Sequence, residues 1–151
     1  MSTILVVDDQ PMVRRLLAHL FSAEGYEVVE AEDGRWALEA LGGTTPPDVC
    51  ILDVMMPALD GWEVLRRIRS DPETQDLPVV MLTARGQAQD RLRAWRLGCD
   101  AFIPKPFDPP DCLEEVRAVL ARSPEERLGL RERQRAVAEG LTSRSGRRRA
   151  G

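Results

Sequence analysis

The sequence predicts an α/β fold, a doubly wound parallel sheet of five strands covered by five helices. Three observations carry that expectation. The apolar period switches repeatedly between short runs and helical stripes. The runs Ile4–Val7, Val49–Leu52 and Val79–Leu82 are apolar throughout, as strands covered on both faces must be. Four runs also end in a reactive polar residue: Ile4–Val7 in Asp8 and Asp9, Val49–Leu52 in Asp53, Val79–Leu82 in Thr83, and Ala101–Pro104 in Lys105. Ligands of an open parallel sheet bind at the carboxyl ends of its strands.

The elements follow in order. Ile4–Val7 is too short for a buried helix and reads as the first strand. Pro11 suits a first helical turn with Asp9 or Gln10 as cap. Val13, Leu16, Leu17, Leu20 and Phe21 form an apolar helical stripe, and Gly25 closes that helix. Tyr26–Ala31 is the second strand. Asp33 caps a helix expected to turn Trp36, Ala37, Ala40 and Leu41 inward. After the turn-rich stretch 42–47, Val49–Asp53 is the third strand. Trp62, Leu65 and Ile68 mark a third helix after Gly61. Pro78–Leu82 is the fourth strand, and a more polar helix follows over Ala88–Leu97, stopped by Gly98. Ala101–Pro104 is the fifth strand. Asp108 and Pro109 open a helix burying Leu113, Val116, Val119 and Leu120. Helices on both faces and right-handed crossovers give a flavodoxin-like sheet of order 2-1-3-4-5. Its switch point lies between strands 1 and 3, beside Asp8, Asp9 and Asp53.

Ser123-Pro124-Glu125-Glu126 reads as a capping box with proline at the first helical position. A short sixth helix to about Glu139 is expected, with few apolar positions (Leu128, Leu130, Val137, Leu141), then disorder over Thr142–Gly151. The chain therefore divides into a domain over 1–122 and a basic C-terminal tail over 123–151. Formal charge divides the same way: the net −4 is −8 through Arg122 and +4 beyond it.

Of the 151 residues, 43% are apolar, enough to fill one core. No run is long and apolar enough to span a membrane, and the N-terminus lacks signal-peptide regions, so a cytoplasmic protein without membrane contact is expected. Cys50, Cys99 and Cys112 show no CxxC spacing and read as reduced structural thiols. His19 is the only histidine and lies mid-pattern in a helix, where a surface or half-buried role is expected rather than catalysis. Trp36, Trp62 and Trp95 read as packing residues.

The chemistry lies in the acids. Ionised carboxylates about 5 Å apart repel by about 3 kcal/mol per pair at an effective dielectric of 20. Such a cluster shifts its pKa values or binds a cation, and oxygen ligands suit a hard divalent ion such as Mg2+ (or Mn2+). Lys105 adds a compact positive charge and Thr83 a hydroxyl, a set able to clamp phosphoryl oxygens. Asp53 is then the nucleophile, since carboxylates form acyl phosphates. The crevice is expected to face solvent, so that Asp53 is replaceable without loss of the fold.

The segments "ILVVDD", "VCILDVMMPALDGWEVL", "PVVMLTA" and "GCDAFIPKPF" together resemble the response-regulator receiver domain, of the CheY-like superfamily and stand-alone type, from about Thr3 to Ala121. The resemblance implies that Asp53 is the phosphoacceptor, that Asp9 and Asp53 bind Mg2+ directly, and that Asp8 acts mostly through water. It implies that the Met55 backbone carbonyl is a further metal ligand, that Thr83 and Lys105 bind phosphoryl oxygens, and that Lys105–Pro106 is cis. Phe102 takes the aromatic switch position. Phe there, where the family often has Tyr, lacks a hydroxyl to hold it outward, which favours the inward ring and an active-like population. The implied partners are a sensor histidine kinase or phosphotransfer protein and a downstream protein. The implied reaction is self-phosphorylation and slow self-dephosphorylation, not conventional enzyme turnover. Met55 and Arg85 flank the expected water path.

Rival readings separate on particular residues. A dehalogenase-type phosphatase needs an acid two residues after the nucleophile, where this chain has Met55. No GxGxxG or GxxxxGK[ST] is present. A phosphorylation-independent adaptor is an alternative, as is a regulator touching nucleic acid through its tail. The short tail makes nucleic acid the lesser expectation. A homodimer through the helix-4/strand-5/helix-5 face is a further expectation, with Arg91 and Arg93 opposite Asp100, Glu114 or Glu115.

Overall fold

The protein is described from a computed structural model covering residues 2–43, 45–84 and 88–150, with side chains as far as Gly140. The elements run β1 (Thr3–Val7), α1 (Pro11–Ala23), β2 (Glu27–Ala31), α2 (Gly34–Leu41), β3 (Val49–Asp53), α3 (Gly61–Ser70), β4 (Val79–Thr83), α4 (Ala88–Leu97), β5 (Ala101–Pro104), α5 (Pro109–Ala121) and α6 (Pro124–Ala150). All strand pairs are parallel and their order is β2-β1-β3-β4-β5. This is the expected topology.

Every residue of β1, β3 and β4 is buried, because helices cover both sheet faces. Alternation along β1 divides the core. Leu5 and Val7 point to one side, with Leu52, Trp62, Leu65, Ile68 and Ala94. Ile4 and Val6 point to the other, with Leu17, Phe21, Val116 and Val119. β2 is an edge strand and mostly exposed.

Local signals set the helix ends. Asp33 Oδ1 accepts from Trp36 N at 3.0 Å and Asp60 Oδ1 from Glu63 N at 3.0 Å, both N-cap bonds. Gly25 and Gly98, at φ +90 and +94, end α1 and α4 in a backbone region that suits glycine. The Lys105–Pro106 bond is cis, as the resemblance implied. Ala58, at φ 63, holds a left-handed turn between β3 and α3 without being glycine.

Three apolar expectations fail in the same way. Trp36 is 53% exposed, while Ala37, Ala40 and Leu41 pack on the core as expected, joined by Gly34 and Leu38. On α1, Leu16 is 47% exposed while Leu17 and Phe21 are buried. Leu120 is only half-buried on α5, where Cys112 is inside. In each case the helix has room for a narrower stripe than its apolar residues could fill. His19 is exposed as expected, and the three cysteines are free and buried.

The capping box at the start of α6 forms: Glu126 N donates to Ser123 Oγ at 3.1 Å, and Ser123 N to Glu126 Oε1 at 3.2 Å. The helix does not stop near Glu139. It is assigned over Pro124–Ala150, longer than the short helix expected. Gly151 and the side chain of Leu141 lie outside the described residues.

Candidate functional site

The carboxyl ends of β1 and β3 place three acids together. One carboxylate oxygen from each of Asp8, Asp9 and Asp53 lies within 4.8 Å of the others. Asp8 and Asp53 are buried, at 1% and 3% exposure. Asp8 and Asp53 are therefore enclosed, where a solvent-facing crevice was expected. Asp9, one residue beyond Asp8, is on the exposed rim.

Lys105 enters from the end of β5. Its Nζ lies 2.9 Å from Asp8 Oδ2, 3.5 Å from Asp53 Oδ2 and 3.3 Å from Gln10 Oε1. Lys105 N donates to Thr83 O at 2.7 Å, which fixes the end of β5 against the end of β4. Thr83 is fully buried at the crevice edge, in register with Pro104. Burial first, and then the charge of Asp8, push the Asp53 carboxyl up to about 6, while Lys105 pulls it back.

The loop after β3 is shaped by close packing. Gly61 N donates to Val54 O at 2.9 Å, and a Cβ on Gly61 would come 2.1 Å from Asp53 O. Met55 N reaches Asp53 Oδ1 at 3.4 Å, and Met55 is 56% exposed. Met56 is buried in the core. Arg85 lies outside the described residues.

Phe102 is half-buried and packs on the core beside α4. Arg91 Cζ lies 5.1 Å from its ring centroid, a cation over the ring face. That contact supplies a partner to a phenylalanine that has no hydroxyl. Arg93 likewise lies over Trp62, at 4.8 Å. Asp100 is buried and bonded to Arg69 and Arg131. The expected homodimer pairing of Arg91 and Arg93 with Asp100 is therefore corrected: a carboxylate enclosed by its own chain cannot reach across an interface.

Sequence reasoning brought Asp8, Asp9, Asp53, Thr83 and Lys105 to one edge, and they meet there. It missed two crevice neighbours. Asp8 Oδ1 accepts from Gln10 N at 2.9 Å, and Arg14 Nη1 donates to Asp8 O at 2.8 Å. The signal for Gln10 was its position two residues after an acid, a spacing that suits an Asx turn. Arg14 carried none. A groove of about 590 Å³ between α3 and α4, bordered by Trp62, Arg66, Leu92 and Arg93, holds none of the acidic set.

The molecule is thus a doubly wound α/β domain with an acidic crevice at its switch point and a lysine leaning in. Residues 4–117 match the response regulator receiver domain, and the chain belongs to that family. It is 42% identical over 123 residues to the DNA-binding dual master transcriptional regulator RpaA of Synechocystis, covering 82% of this chain and 51% of that one. It is 45% identical over 120 residues to the response regulator MprA of Mycolicibacterium vanbaalenii, covering 80% and 51%. The chain spans about half the length of the curated relatives it matches. Among solved structures it is similar to the chemotaxis protein CheY4 of Vibrio cholerae, with a TM-score of 0.75, 32% identity and coverage of 79% and 98%. A putative response regulator from Chloroflexus aurantiacus gives a TM-score of 0.76, 36% identity and coverage of 80% and 98%. Among the described residues no helix is long and apolar enough to cross a membrane.

Proposed function

We propose that this receiver accepts a phosphoryl group on Asp53 from the phosphohistidine of a sensor histidine kinase or phosphotransfer protein in the cytoplasm. One observation carries the reading: Lys105 Nζ sits between Asp8 and Asp53 in a crevice that gathers three carboxylates. An Asp53 carboxylate oxygen attacks phosphorus, and the phosphorus–nitrogen bond to the imidazole breaks. The bonding pair leaves on that nitrogen, and the product on this chain is an acyl phosphate. An Asp53 carboxyl at about 6 is still mostly ionised at neutral pH, so the nucleophile is available.

Asp8, Asp9 and Asp53, with the Met55 carbonyl, would hold Mg2+ or Mn2+. Their oxygen-only, close-set donors suit a hard divalent ion. Such an ion supplies positive charge to the phosphoryl oxygens as charge spreads over them. Lys105 exchanges its bond to Asp8 for one to a phosphoryl oxygen, and Thr83 donates its hydroxyl to another. An added charge of about −1.5 to −2 draws these two groups inward. Phe102 and α4 follow, which changes the α4–β5–α5 face. Hydrolysis by water attacking in line with the acyl oxygen resets the site.

We read the downstream partner as a protein, met through that face. Incubation with acetyl phosphate and Mg2+, followed by intact mass, tests the reading. The expected result is one added phosphoryl group, absent in Asp53→Ala and absent with chelator. An unchanged mass, or a gain that survives Asp53→Ala, overturns it.

A further inference from the structure

Asp100 precedes β5 and its side chain is 1% exposed. Four donors converge on it. Val79 N lies at 2.8 Å and Arg69 Nη2 at 3.1 Å, while Arg131 supplies Nε at 2.7 Å and Nη2 at 3.0 Å. Val79 and Arg69 belong to β4 and α3. Arg131 belongs to α6, and its fork on Asp100 is bidentate.

The rest of α6 offers little apolar burial. Leu128 and Val137 are 53% and 57% exposed. A helix with that surface does not stay on a domain by its apolar stripe. The Asp100–Arg131 fork holds it, aided by an exposed pair, Arg96 Nε to Glu139 Oε1 at 3.1 Å. Leu128, Arg131 and Arg135 share one helical face, and with Trp95 and Gly98 they border a groove of about 190 Å³. Trp95 follows Arg91 by four residues, and Arg91 covers Phe102, so both stand on one side of α4. α6 therefore lies against the side of α4 whose Arg91 covers Phe102 of β5.

We propose that α6 is a ligand in cis of the α4–β5 face. Docked, it occupies part of the surface through which a second copy of the chain would pair. The Asp100–Arg131 fork sets whether that surface is covered. Charge complementarity selects this occupant: a buried carboxylate takes the α6 guanidinium, and the α4 guanidinium of Arg96 takes the α6 carboxylate of Glu139. The part concerning dimers rests on reading α4–β5–α5 as the output face; the docking itself does not.

Hydrogen exchange and light scattering on the full, unphosphorylated chain test it. Amides of 125–140 are expected to be protected in the wild type. In Arg131→Gln they should exchange at least about tenfold faster, with β1, β3 and β4 unchanged. Arg131→Lys, which keeps the charge but loses the fork, should fall between. If the glutamine variant does not fold, the lysine variant must still loosen 125–140 ahead of the strands. The wild type is expected to be monomeric, and Arg131→Gln to form a concentration-dependent dimer that acetyl phosphate strengthens. Wild-type amides exchanging as in an unfolded chain, protection unaltered by either variant, or equal dimer formation in wild type and variant each overturn the proposal. Failure of Asp53 to take a phosphoryl group would overturn the reading of the crevice and leave the exchange result standing.

Discussion

Lys105 Nζ lies closer to Asp8 than to Asp53, at 2.9 Å against 3.5 Å. The ammonium is thus held mainly by the acid that is not the proposed nucleophile. It still neutralises part of the charge around Asp53. Replacing it with Met leaves two buried carboxylates facing each other without a cation. Lys105→Met is expected to lift the Asp53 carboxyl above about 6 in metal-free protein. A carboxyl-carbon NMR titration checks this, and an unmoved or lower value would contradict it.

Asp53 itself opposes folding when ionised and metal-free. Its folded carboxyl is raised from 3.8 to about 6, so the folded state binds the proton more tightly than the unfolded chain. That contribution is fully present below about pH 4 and is lost as pH rises toward 6. Asp53→Asn should therefore melt higher than wild type at pH 7 in chelator, by about 1–2 kcal/mol after allowing for water at the crevice mouth. The difference should shrink toward zero near pH 4. Equal melting temperatures at pH 7 would sink the repulsion argument.

Gly61 links the fold to the site. A methyl group there would meet Asp53 O at 2.1 Å and Val54 Cα at 2.8 Å, both backbone atoms that cannot swing aside. Gly61→Ala is expected to cost about 1–3 kcal/mol and to displace the β3–α3 loop. Denaturant unfolding measures the first effect. Slower labelling of Asp53 by acetyl phosphate measures the second, and wild-type values in both would refute the close-approach reading.

The thiols should be inert while the chain is folded. Burial pushes Cys50 and Cys112 up to about 12 and raises Cys99 as well. All three should react with a thiol reagent only after denaturant is added. Stoichiometric labelling of any one in native buffer would count against their burial.

The parallel sheet and its polar edge were legible in the chain, and five β-α units pointed to the order found. Three strands are apolar throughout and short apolar runs alternate with helical stripes, a pattern that a parallel sheet covered on both faces buries. Because the strands are parallel, the residues that follow them share an edge, and Asp8, Asp53, Thr83 and Lys105 could be placed there without coordinates. Tertiary structure decided what periodicity cannot carry. Trp36 and Leu16 fit their helical stripes and yet lie outside, since the width of the buried face depends on the neighbouring element. The polar partners were hidden for a different reason. Arg131 and Asp100 are 31 residues apart, and Gln10 and Lys105 are 95 apart. Neither pair leaves a local pattern, because a charge chooses its partner by proximity in space. That is why the receiving crevice could be read from the chain, while the hold of α6 on α4 appeared only once the chain was folded.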